Sequence, residues 1–160
     1  MQWSTDLIGY DALTSYGSPA YYAQKMFSTM HGDEILATDS QNIPTREWQP
    51  RTQRGVTPSP RQIGQIFFDA TRDSRSGTIY VKIVNEAGAP QRINIQINGA
   101  PKIEPQGEAV SLAASSPSDT NSIEQPQKIV PRTEKVGDLS ANFAREFPPY
   151  SITVLKLRTK

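Results

Sequence analysis

Few residues in this chain could do chemistry. There is one histidine, His31, and no cysteine, which excludes disulfides and cysteine-based zinc sites. A catalytic or metal role would need partners that converge on His31, and the reading that fits it is a residue near a helix C-terminus, where a cation is favoured. Tyr16, Tyr21 and Tyr22 could stack on a sugar ring or pack a core, and Trp48 could meet a sugar or another domain. Arg46, Arg51, Arg54 and Arg61 share a proline-rich stretch, but Glu34, Asp39 and Glu47 flank them, so they make no nucleic-acid footprint. Asp119-Thr120-Asn121 could hold a cation or cap a turn.

The whole-chain numbers narrow the classes. The chain has 160 residues, enough for one domain with a real core but fewer than the roughly 250 of a complete (β/α)8 barrel. With 17 basic and 16 acidic residues the formal charge is +1, so no global field draws it to nucleic acid or anionic lipid. No run of about 18 apolar residues is present to span a membrane. Met1 to Asp6 show neither a basic stretch nor an apolar one of the signal-peptide kind, and the opening reads like that of a piece of a longer chain.

Two periodicities must position these residues. Leu7-Ile8-Gly9-Tyr10 is long enough for one small strand. Ser18-Pro19 then starts a helix, the serine capping free N–H groups and proline suiting the first position. Ala20, Ala23, Phe27 and Met30 follow as one buried stripe, widened by Tyr22 and Met26, and Gly32 is a plausible stop, so a helix is predicted over 18–31. From about residue 34 the period is two. Strands are predicted over 64–69, 78–85, 93–97, 108–112, 142–147 and 150–157, with an edge or strand end at 128–131, where Pro131 cannot donate to a ladder. Residues 72–77 read as a hairpin loop and Asn98-Gly99 as a turn. Segment 78–85 is apolar at most positions and therefore central. Residues 39–62 and 113–127 lack periodicity and read as long surface loops, which in a compact domain are usually functional or packed on something else. The fold class is mainly β: an antiparallel, jelly-roll-like sandwich behind a short strand and one helix.

The first segment is specific enough to carry a resemblance. Trp3-Ser4-Thr5-Asp6-Leu7-Ile8-Gly9-Tyr10-Asp11, followed by Ser15-Tyr16-Gly17-Ser18-Pro19-Ala20-Tyr21-Tyr22-Ala23-Gln24-Lys25-Met26-Phe27, resembles part of glycoside hydrolase family 51, the α-L-arabinofuranosidases. Thr5 stands where that family usually has proline. Tyr80 to Asn85, Asp119 to Ile123, Lys128 to Pro131 and Phe147 to Leu155 resemble the family's C-terminal domain, in the same order.

The resemblance implies an architecture and a division of labour. Residues 1–33 would be the last loop and helix of a catalytic barrel, a helix left over from a (β/α)8 barrel, and 34–160 a C-terminal β-sandwich. The barrel of the same polypeptide would be the partner, with arabinose-containing polysaccharide bound through the whole enzyme. Retaining glycosidases use two carboxyl groups about 5 Å apart. The resemblance places both glutamates on barrel strands upstream of the matched segment, so no residue here is assigned a catalytic role, a metal or a cofactor. Asn85-Glu86 imitates the family's acid/base dipeptide, but it ends a sandwich strand before a turn and reads as a solvated hairpin end. Trp3 and Asp6, in the loop that would overhang the active site, are the candidate substrate contacts. The leftover helix must dock on the sandwich, dimerise or lie partly exposed. Two other roles stay open for the sandwich: a carbohydrate-binding module, or a domain that makes the enzyme oligomeric.

Overall fold

The centre of the molecule is set by two seven-residue strands whose side chains are apolar on both faces. The computed structural model of the chain describes residues 7–52, 54–100 and 102–160. In chain order the elements are β1 (Ile8–Tyr10), β2 (Ser15–Gly17), α1 (Pro19–Thr29), β3 (Glu34–Ile35), β4 (Thr45–Trp48), β5 (Arg61–Gly64), β6 (Ile66–Arg72), β7 (Ile79–Asn85), β8 (Gln91–Gln96), β9 (Gly107–Ala113), β10 (Arg132–Val136), β11 (Asn142–Phe147) and β12 (Ser151–Leu157). Six of them form one sheet in the order β10-β9-β12-β7-β6-β3, with every neighbour antiparallel. β7 and β12 occupy its middle, paired from Ile79↔Leu157 to Asn85↔Ser151.

The alternation of these strands assigns two cores. Ile79, Val81 and Ile83 share the inner face with Leu155 and Leu157. Their cover is the antiparallel pair β8–β11, which contributes Ile93, Ile95, Phe143 and the fully buried Phe147. This is the sandwich interior. Val110, Leu112, Ile152 and Val154 point the other way, and α1 covers them with Met26, Tyr22, Ala23 and Met30. A central strand lined on both faces thus follows from having a second layer on one side and a helix on the other.

Local chemistry sets the connections. Asp73 accepts from the Arg75 and Ser76 N–H groups to close the β6–β7 hairpin, and Gly77 takes a left-handed φ of 69° in that turn. Ser18 caps α1 by accepting from the Tyr21 N–H at 3.2 Å.

Several sequence expectations are corrected. The helix runs 19–29 and its stripe is rotated: Met26 is its fully buried residue, while Ala20 and Phe27 are exposed. The C-cap is Met30, not Gly32. Gly32 is needed for a close approach, because a Cβ there would lie 2.0 Å from the Arg72 carbonyl. The stretch 39–62 is not structureless: β4 and β5 pair as a ribbon from Thr45↔Gly64 to Trp48↔Arg61. Its strands lie on the surface with charged and polar residues, so they lack the alternation that betrays a half-buried strand. The edge strand β10 lies at 132–136, after Pro131, and only its Val136 is buried. β9 runs on to Ala113, and the loop beyond it, 114–127, contains no strand.

Candidate functional site

A hydrolytic pair would need two carboxyl groups about 5 Å apart, one of them able to act as an acid. Glu86 forms a two-point contact with Arg46, Nη2 to Oε1 at 2.8 Å and Nε to Oε2 at 3.2 Å, which raises the Arg46 pKa. Asn85 is not a solvated hairpin end. It is fully buried, its amide donates to the Ala89, Phe147 and Pro148 carbonyls, and its Oδ1 accepts from the Ala87 N–H. Burial without loss is possible because all its polar positions find partners. Asp33 and Asp73 are neighbours at the β6–β7 hairpin. The Ser74 hydroxyl holds Asp33, and the Ser76 N–H holds Asp73, below the ordinary carboxylate range. A glycosidase pair needs one carboxyl raised to serve as acid, and here both move the other way.

His31 is exposed, its Nδ1 3.0 Å from the Gly32 carbonyl. Trp48 is half-buried beneath the Arg61 guanidinium, 4.7 Å from its ring centroid. Tyr16 is buried, and its ring lies over Gly9, where a Cβ would be 2.3 Å from Tyr16 Cζ. Tyr21 and Tyr22 meet edge to face at 5.2 Å. The three tyrosines, with Pro126 and Gln127, line an open cleft of about 290 Å3. Among the described residues no cluster of three or more His, Asp or Glu is placed to hold a metal ion. Trp3 and Asp6 lie outside the described residues.

What the fold does assemble is a junction. The hairpin β1–β2 is closed by Asp11, whose Oδ1 accepts from the Leu13 and Thr14 N–H groups and the Thr14 hydroxyl. It carries Ile8, Tyr10 and Leu13 outward, Tyr10 78% and Leu13 94% exposed. The loop 113–127 reaches this hairpin through Asn121. That side chain is fully buried. Its amide donates to the Gly17 carbonyl of β2 and to the Ile129 carbonyl, both at 2.8 Å, and its Oδ1 accepts from the Ile129 N–H at 2.7 Å. Asp119 caps the same loop at the Ser115 and Ser116 N–H groups and pairs with Lys128 at 2.9 Å, which holds its carboxyl below the ordinary range. The triad of loop residues therefore works as a turn and a tether. The tether was not legible in the sequence, since Gly17 and Asn121 are 104 positions apart.

Residues 2–151 match the family described as the alpha-L-arabinofuranosidase C-terminal domain. The chain belongs to this family. Alpha-L-arabinofuranosidase A of Aspergillus niger is 27% identical over 96% of the chain, and alpha-L-arabinofuranosidase 1 of Arabidopsis thaliana 23% over 98%. Among solved structures, the arabinose-bound MgGH51 α-L-arabinofuranosidase superposes with a TM-score of 0.79 and 28% identity over 99% of this chain. The enzyme from Thermotoga petrophila shares the fold, with a TM-score of 0.77 and 16% identity over 93% of the chain. This C-terminal domain is short beside them: it spans 21% of the A. niger relative and 22% of the arabinose-bound structure. Its antiparallel sandwich is the fold of those enzymes' corresponding portion.

Proposed function

We propose that this chain is the rear part of a retaining α-L-arabinofuranosidase that removes terminal arabinofuranosyl groups from arabinan or arabinoxylan. Residues 1–33 supply the last loop and helix of the catalytic barrel, and 34–160 form the accessory sandwich that packs on it. The observation carrying this reading is the superposition on nearly all of this chain but about a fifth of an arabinose-bound enzyme. One further feature supports it. The hairpin β1–β2 presents apolar side chains of the kind that a monomer buries against a neighbour.

In this reading the chain's own work is mechanical. α1 buries the outer face of the sheet, and the loop 113–127 grips the hairpin, so the sandwich fixes the end of the barrel. Trp3 and Asp6, immediately before β1 in sequence, contact the arabinofuranosyl group. The test compares two purified proteins on an aryl α-L-arabinofuranoside. The 160-residue chain is expected to show no turnover above buffer, and a polypeptide extended upstream through the barrel to turn over with retention of configuration. Hydrolysis by the 160-residue chain itself would refute the assignment.

A further inference from the structure

Alternation along the strands puts one row of apolar side chains on the outer face of the sheet. Phe67, Val84, Ile152 and Leu112 are register partners in turn, from β6 across to β9. Only one end of the row is covered. Leu112 and Ile152 pack with α1, whereas Val84 is half-buried and Phe67 is 49% exposed. The same break runs along the helix. Ala20 and Phe27 are exposed and Ala23 is half-buried, so a second apolar stripe of α1, beside the side centred on Met26, lies open among the described residues. Stripe and row meet: Ala20, Ala23, Val84 and Ile152 line a cleft of about 330 Å3. The Phe27 ring lies 5.5 Å from the Lys82 ammonium of β7, which pairs with Asp69 of β6 at 3.5 Å.

The spacing of the open strip fits one kind of occupant. Packed helices stand about 8–10 Å apart and neighbouring strands about 4.8 Å, so a helix alongside α1 advances by two strands. α1 lies on β9 and β12, and two strands further on are β7 and β6, where Val84 and Phe67 stand open. The strip is one helix wide, far short of the roughly 20–30 residues a stable dimer buries on each partner, whereas an element tethered in the same polypeptide needs no such area. This chain matches a C-terminal domain and is 22% of the arabinose-bound enzyme, so most of a polypeptide of that kind precedes it. Resting on the function proposed above, we infer that the face formed by Ala20, Ala23, Phe27, Val84 and Phe67 seats a second amphipathic helix, from the barrel segment upstream of Met1 in the same polypeptide, packed alongside α1. Two adjacent helices then join sandwich and barrel, rather than α1 alone.

The chain has no cysteine, so single substitutions to cysteine report on this cover. Ala20→Cys and Phe67→Cys are compared with Ala144→Cys, a control exposed on β11 in the opposite layer. Each is made in the 160-residue chain and in the upstream-extended enzyme, and maleimide labelling at that position is followed by peptide mass spectrometry. Positions 20 and 67 are expected to label quickly in the shorter protein and at least about tenfold more slowly in the extended one, with position 144 quick in both. Should Phe67→Cys fail to accumulate in the extended enzyme, the nearly isosteric Ala20→Cys carries the comparison. Equal rates in the two lengths, in an extended enzyme that turns over an aryl α-L-arabinofuranoside, would overturn the inference and leave the proposed function standing. Slow labelling in the 160-residue chain that speeds up on dilution would also overturn it, because a second copy would then be the cover. Absence of turnover by the unsubstituted extended enzyme would instead overturn the proposed function, and this inference with it.

Discussion

Buried asparagines and capped aspartates do most of the polar work in this molecule, and each makes a measurable claim. Asn85→Ala would strand two or three carbonyls and one N–H in the interior, so a loss of about 3 kcal/mol is expected in denaturant unfolding of the 160-residue chain. The aspartates act through pH. Asp11, Asp33, Asp73 and Asp119 are all held below the ordinary carboxylate range, by the Leu13 N–H, the Ser74 hydroxyl, the Ser76 N–H and Lys128 respectively. A carboxyl whose pKa is lower folded than unfolded binds fewer protons in the native state, so its stabilisation is present above the unfolded pKa and is lost as pH falls through the folded one. Unfolding midpoints should be flat above about pH 5 and fall below about pH 4, and Asp119→Asn should shrink that fall. The caps were partly legible, because Asp73 and Asp119 sit in turn-rich sequence. The burial of Asn85 and Asn121 was not: a polar residue beside a turn gives no local sign that distant carbonyls converge on it.

At the scale of elements, β7 shows what a sequence can say. Its apolar run announced a strand covered on both sides, and the helix on one face with β8–β11 on the other explains why. The helix itself was legible in place but not in rotation. Spacing marked Ala20, Ala23, Phe27 and Met30 with Tyr22 and Met26 beside them; of these Met26 is the buried centre, with Tyr22, Ala23 and Met30 packed around it against Val110 and Val154, while Ala20 and Phe27 lie outside the contact. Phe27 sits at the margin, 37% exposed, with the Lys82 ammonium 5.5 Å from its ring centroid. The two residues separate the alternatives. Met26→Ala should cost about 3 kcal/mol in unfolding free energy, as for a filled core site. Phe27→Ala should cost about 1 kcal/mol. The reverse order would mean that the helix packs by the other stripe. The β4–β5 ribbon and the edge strand β10 escaped notice for a shared reason. Their outward positions are polar, and what holds them is pairing rather than a pattern of burial.

For the whole molecule, charge and composition set only the class, while the ordered resemblance along the chain carried the family, because short segments such as Ser15-Tyr16-Gly17-Ser18-Pro19 are specific where hydropathy is not. Trp3 and Asp6 lie outside the described residues. What the fold adds is a surface: Ile8, Tyr10 and Leu13 stand outward on a hairpin that the sandwich holds firmly from behind. The central claim is that this face is built to be covered by a catalytic barrel in the same polypeptide. Hydroxyl-radical footprinting of Tyr10 and Leu13 tests it most directly, comparing the 160-residue chain with the upstream-extended enzyme. Both side chains should be oxidised readily in the shorter protein and strongly protected in the longer one. Equal oxidation in the two would contradict the account.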